Sequence, residues 1–172
     1  FFPGANDNAS GVSMILQLAK YFQTNKPKYS IIILATAAEE LGLLGAKHFV
    51  KALTNNEIPN LTTSKIKTVI NLDMIGTGDD GATVVNGDTY KDDFNKMKNI
   101  NDNNNYLKNL YSRELTKNSD HYPFHEAGIK AFFFYTMGGT TKYHSTNDLP
   151  EKLSLKGYIG MFSLIIDYIN TL

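Results

Sequence analysis

The chain has 172 residues, 42% apolar and 20% charged, enough for one domain with its own core. Lys+Arg and Asp+Glu number 17 each, so no basic excess marks a nucleic-acid surface or a polybasic membrane contact. There is no cysteine, which excludes disulfides and thiolate metal sites and leaves His, Asp and Glu to hold any metal, a set suited to zinc or a harder divalent ion.

No run of about 18 apolar residues is present to span a membrane. The chain opens on Phe1 with no signal-peptide pattern, and reads as a processed or trimmed piece. Residues 1–11 are rich in turn formers (Pro3, Gly4, Asn6, Asn8) and predict a loop that caps a helix. Val12, Ile15, Leu16, Ala19 and Phe22 recur at helical spacing, and Pro27 closes that helix. Residues 29–37 are nearly all apolar and predict a strand buried on both faces. Gly42 and Gly45 punctuate its exit, and residues 46–53 predict a helix.

A polar loop over 55–64 precedes a second predicted buried strand over 65–74. Gly76, Gly78 and Gly81 then turn the chain into a short strand over 82–85. Residues 90–110 read as helix, a solvated Asn-rich loop over 99–105, and a second helix. Residues 119–124 form a loop leading to a short helix that stops near Gly128. A Phe-rich strand follows over 130–136, then a loop over 137–148. The last helix is predicted to start near Ser154, with Leu155, Tyr158, Ile159, Phe162, Ile165, Ile166 and Ile169 as its apolar stripe.

Buried strands alternating with helices predict an α/β domain with a largely parallel sheet. Ligands bind outside the carboxyl ends of such strands. Glu39 and Glu40 follow the first predicted strand, Asp73 ends the second, and His144 lies in the loop after the third. Side chains at successive extended positions point in opposite directions, so two adjacent carboxylates can do two jobs, one as metal ligand and one as general base. Taken alone, the pair reads equally as a solvated acidic loop, and Asp7 as a turn or cap aspartate.

Four stretches change that balance: Pro3-Gly-Ala-Asn-Asp-Asn-Ala-Ser-Gly11, Ala38-Glu-Glu-Leu-Gly42, Asn71-Leu-Asp-Met-Ile-Gly76 and Tyr143-His-Ser-Thr-Asn-Asp148. In this order they resemble the catalytic domain of the M28-type zinc aminopeptidases, a two-metal peptidase family, across nearly the whole chain. The resemblance implies a three-layer α/β/α sandwich with a largely parallel mixed sheet. It implies Asp7 as a carboxylate bridging two zinc ions, Glu40 and His144 as further ligands of one, Asp73 as a ligand of the other, and Glu39 as general base. It also implies Asp120 and Tyr143 as pocket residues or supports of the ligands. His48 and His125 read as ordinary packed or surface histidines.

The family carries a His-x-Asp motif upstream of the Pro-Gly stretch, and this chain begins after that point. The expectation is therefore a single domain over 1–172 lacking its amino-terminal strands, with the Asp73 site short of an imidazole. Two zinc ions would belong to the complete site and one or none to this chain, which would be poorly active and able to form a homodimer through an open sheet edge. The implied activity is removal of amino-terminal residues from peptides, and the implied address is periplasmic or extracellular. The competing readings are a glutaminyl cyclase-like acyltransferase with a single zinc, for which residues 120–124 resemble the pocket loop, and a metal-poor binding module on the same fold.

Overall fold

Val69–Leu72 (β1), Gly81–Val85 (β2), Leu110–Arg113 (β3) and Ala131–Met137 (β4) pair into one sheet in the order β1-β4-β2-β3. The computed structural model describes residues 2–139 and 142–172. The predicted loops at the chain start and after the Phe-rich strand include Phe1, Thr140 and Thr141, which lie outside the described residues. The sheet is mixed: β1 runs parallel to β4, β2 parallel to β3, and β2 antiparallel to β4. Phe134 sits at its centre, opposite Leu72 on one side and Val84 on the other.

Strand alternation divides the apolar residues between two faces. Leu72, Ala82, Val84, Phe132 and Phe134 pack against Gly11–Thr24 (α1), Lys91–Asn104 (α3) and Tyr158–Asn170 (α5). Val69 and Ala131 pack on the opposite side against Leu44–Thr54 (α2) and His121–Glu126 (α4). Helices on both faces give the three layers expected.

Several local expectations are corrected. Residues 29–37 form no strand, and Ile31, Ile32 and Ile33 are 37%, 57% and 42% exposed. A strand is stable only with a partner for its ladder, and no described residue pairs with this segment in the sheet. Between it and β1 runs a groove of about 520 Å³, lined by Ile31, Ile33 and Leu34 on one side and Ile66, Ile70 and Leu72 on the other. β1 is an edge strand of four residues, shorter and less buried than the 65–74 run predicted.

The apolar face of α1 is also shifted. Met14, Leu18 and Phe22 are buried, whereas Val12 and Leu16 face solvent. The Asn-rich stretch is the end of α3 rather than a loop, and in place of the predicted second helix a turn over 105–109 leads into β3. Phe94, Met97 and Asn101 fall on one buried stripe of α3. Asn101 belongs there because its amide serves as a backbone surrogate, accepting from Leu107 N–H at 2.9 Å and donating to Leu107 C=O at 3.1 Å. The last helix starts at Tyr158, not near Ser154. Leu155 N–H and Gly157 N–H are tied to the Gly76 and Thr77 carbonyls, and Leu155 adopts a positive φ of 52°, so the helix cannot begin earlier. Its buried stripe is Met161, Leu164, Ile165 and Tyr168, while Leu155 and Ile159 are exposed.

Asn101→Ala leaves the buried Leu107 N–H and C=O unpaired and is expected to cost about 2 kcal/mol in denaturant-derived stability. The neighbouring exposed Asn103→Ala is expected to stay within about 0.5 kcal/mol of the parent. Equal effects at the two positions would count against the packing role of Asn101.

Candidate metal centre

The site is built from loops at one end of the sheet. Ala5–Ser10 is an irregular helical turn in which Asp7 and Asn8 leave helical geometry and the Asp7–Asn8 peptide is cis. Its even-numbered side chains grip the backbone after β1. Asn8 Nδ2 donates to Leu72 C=O at 3.0 Å, and Asn8 Oδ1 accepts from Met74 N–H at 3.2 Å. Ser10 Oγ accepts from Ile75 N–H and Asn6 Oδ1 from Gly76 N–H, each at 2.8 Å. Asp7, between Asn6 and Asn8, takes no part in this comb.

Glu39 and Glu40 stand at the turn into α2. The Glu39 carbonyl accepts from Gly42 N–H at 2.9 Å and from Leu43 N–H at 2.8 Å. Gly45 N–H reaches the Ala37 carbonyl at 2.9 Å, and a Cβ on Gly45 would lie 2.5 Å from Ala37 backbone atoms, so only glycine permits this approach. His144 follows β4 and the loop after it, with a left-handed φ of 52°. The ring of exposed Tyr143 stacks on its imidazole, with centroids 3.7 Å apart.

These three loops bring Asp7, Glu40 and His144 together. His144 Nε2 lies 3.2 Å from Asp7 Oδ2 and 2.7 Å from Glu40 Oε1, and one donor atom from each residue falls within 4.8 Å of the others. A tetrahedral ion with bonds near 2.0–2.1 Å sets its donors roughly 3.4 Å apart. Two carboxylate oxygens and an imidazole nitrogen at this spacing therefore fit a zinc ion with small adjustments, leaving one coordination position open.

Asp73 is not part of that triad. Ser119 Oγ donates to its Oδ2 at 2.9 Å, and its buried Oδ1 has no partner. Asp120 is buried. Its Oδ2 accepts from Thr36 Oγ1 at 2.5 Å, and its Oδ1 is likewise without a partner. Among the described residues, no second group of three metal-ligating side chains forms around Asp73. His125 is half-buried and bonded through Nδ1 to Tyr90 Oη at 2.9 Å, and His48 is exposed on α2. His121 is fully buried, and burial pushes its imidazole down to about 4.

The acids share one field. Burial, then the charges of Asp73, Glu40, Asp120 and Asp7, push Glu39 up to about 7. Burial pushes Asp73 up to about 6, partly offset by the Ser119 hydrogen bond and reinforced by the charges of Asp7, Asp120 and Glu40. Asp7 is raised by burial and then by Glu40, against the opposing effect of His144. Asp120 is raised by burial, and Tyr143 by burial followed by the four acids Asp7, Glu40, Asp73 and Glu39. Glu39 thus stands beside the triad with a carboxyl poised near neutrality, the condition for proton transfer in either direction.

A model of peptidase family M28 matches residues 1–169. The chain belongs to peptidase family M28. It is 35% identical over 161 residues to Aminopeptidase YwaD of Bacillus subtilis, which spans 90% of this chain but 34% of the relative. Its fold superposes with a TM-score of 0.82 on BSAP, a zinc aminopeptidase from Bacillus subtilis, at 29% identity over 99% of this chain and 42% of that one. A glutaminyl cyclase from an Acidobacteriales bacterium shares the fold at a TM-score of 0.72 and 20% identity, over 98% of this chain and 62% of that one. The chain thus spans about a third of the length of YwaD and less than half of BSAP.

Two contacts at the site have roles the sequence does not show. Ser119 holds Asp73, yet a serine before an aspartate is common in turns, and Asp148 enters only as the last residue of the 143–148 stretch, with no sign of the backbone groups it holds.

The two strongly raised acids set the sign of a pH effect. Glu39 rises from 4.5 to about 7 and Asp73 from 3.8 to about 6, so between these values the folded chain holds more protons than the unfolded one. The stability they confer is complete below about pH 4 and is lost as pH rises through 6 to 7. Buried His121, held down to about 4, acts in the opposite sense between about pH 4 and 6.5. In chelator-treated protein, the urea midpoint is therefore expected to fall between pH 6.5 and pH 7.5, and Glu39→Gln to reduce that fall. A midpoint that climbs steadily to pH 8 would contradict the assignment.

Proposed function

We propose that this chain is the zinc-binding core of an aminopeptidase, carried above all by the meeting of Asp7, Glu40 and His144 beside Glu39. Membership of the M28 family and likeness to zinc aminopeptidases support the reading. Asp7, Glu40 and His144 would hold one zinc ion. When bound, zinc supplies Lewis acidity that polarises the peptide carbonyl and acidifies water.

Glu39 takes a proton from the attacking water and passes it to the leaving amine, balancing the charge as the peptide bond breaks. The acids Asp73 and Asp120 line the same end of the sheet and offer partners for a substrate α-ammonium. Tyr143 holds the face of His144 and its hydroxyl lies within the field of the acids, where it can donate to developing negative charge. Asp73 has one buried oxygen without a partner and joins no second group of three metal-ligating side chains among the described residues, so it would hold a second ion weakly.

Glu39→Gln is expected to lower turnover of an aminoacyl anilide by about 100- to 10,000-fold. Zinc affinity by titration should be nearly unchanged in that variant, whereas His144→Ala should lose zinc. Cyclisation of a glutaminyl peptide without anilide hydrolysis would favour the acyltransferase reading. Zinc binding with no turnover of either substrate would favour a binding module.

A homodimer is supported by a separate observation. The exposed Ile31, Ile32 and Ile33 and the unpaired edge of β1 face one groove, and open edges of this kind pair with other chains. Sedimentation equilibrium is expected to show a dimer that Ile32→Lys weakens by at least tenfold. A monomer at all concentrations would remove this part of the reading.

A further inference from the structure

Asp148 is 2% exposed and carries a carboxylate. Burying a charge is costly unless it is hydrogen-bonded. Here two backbone N–H groups, both far away in the sequence, reach it through three contacts. Asn6 N–H reaches both of its oxygens, at 2.9 and 3.1 Å, and Asp7 N–H reaches Oδ2 at 3.0 Å. The Asp148 carbonyl also accepts from Ala5 N–H at 3.2 Å, while the Asp148 N–H closes a turn onto the Ser145 carbonyl at 3.1 Å. Asp148 therefore joins the loop that begins at His144 to the turn that carries Asp7.

We propose that Asp148 is a positioning residue for the metal centre, acting as the strap that sets Asp7 and His144 at chelating distance. This rests on the reading of Asp7, Glu40 and His144 as ligands. The simpler view is that Asp148 caps the free N–H groups of a helical turn. A local Ser or Asn would perform that task without burying a charge. What a carboxylate 141 and 142 residues away adds is a direct link between two loops far apart in the sequence.

The link reaches further through Asn6. Its N–H is held by Asp148, while its own Oδ1 holds Gly76 N–H at 2.8 Å in the loop that follows Asp73. Metal affinity depends on donors held within about half an ångström of their bound positions. His144 and Glu40 are exposed, so packing does little to fix them. The strap reduces the freedom that binding would otherwise have to remove.

The test is zinc and cobalt titration of the purified metal-free chain, at a temperature well below its unfolding midpoint, with that midpoint measured separately. Asp148→Ala is expected to weaken the ion by about 10- to 100-fold, the usual effect of losing a group that orients a ligand. It should also alter the visible absorption of bound cobalt. Asp148→Asn keeps one acceptor oxygen but turns an amide donor towards an N–H, and should fall between Ala and the parent.

A drop in midpoint with parental zinc affinity in both variants would overturn the proposal and leave Asp148 a cap. Should Asp148→Ala fail to fold, the Asn variant decides alone. His144→Ala and Asp7→Asn are the companions: parental affinity in these would overturn the ligand reading itself, and the strap with it. Loss of zinc in the companions, combined with parental affinity in the Asp148 variants, would overturn the strap alone.

Discussion

Asp7 and Glu40 approach the same imidazole nitrogen from two different loops, and much of the surrounding structure exists to hold them there. Two like charges about 4 Å apart repel by about 4 kcal/mol at an effective dielectric of 20. Glu39, Asp73 and Asp120 add to the same field: Asp73 and Asp120 raise Glu39, and Glu39 raises Tyr143. A fold concentrates acids in this way only if protons or a cation neutralise them, or if the backbone leaves them no other place. Here both conditions operate. Glu39 and Asp73 retain protons well above the usual carboxylate range.

The backbone supplies the second condition. Asn6, Asn8 and Ser10 bond to successive backbone groups from Leu72 to Gly76, locking the turn that carries Asp7 onto the end of β1. β1 is itself fixed by its parallel register with β4. Asp73 N–H extends that register by reaching the Phe134 carbonyl at 3.1 Å. The chemistry-bearing side chains are thus referred to the centre of the sheet, where Phe132, Phe133 and Phe134 are almost fully buried. Disturbance of the β4 core is therefore transmitted to the acids through hydrogen bonds rather than through contact with them.

The sheet positions of Asp73 and His144 were legible because apolar runs ending in polar residues mark strand ends, and the four motifs placed Asp7, Glu39, Glu40, Asp73 and His144 by resemblance. The misreadings have physical causes. Periodicity registers an apolar stripe but not which neighbouring stripe packs: α1 buries Met14 and Leu18, while Leu16 points to water. Composition marked residues 99–105 as loop, yet a buried asparagine such as Asn101 can satisfy backbone groups inside a helical end. Residues 29–37 have every local attribute of a strand, but strand formation is a property of a pair, and one sequence segment does not reveal whether its partner is there.

That unpaired segment also bears on the electrostatics. The groove beside it continues past Ile33 and Leu34 to Thr36, Asn71 and Asp120, so its upper end borders the acids. Asp120 Oδ1 at that end, and Asp73 Oδ1 in the same field, are already buried without a partner, so their charge is costly whether the groove is open or covered, and a proton or a cation lowers that cost. The exposed isoleucines and the perturbed acids, which look like separate peculiarities of the chain, are two ends of one open slot.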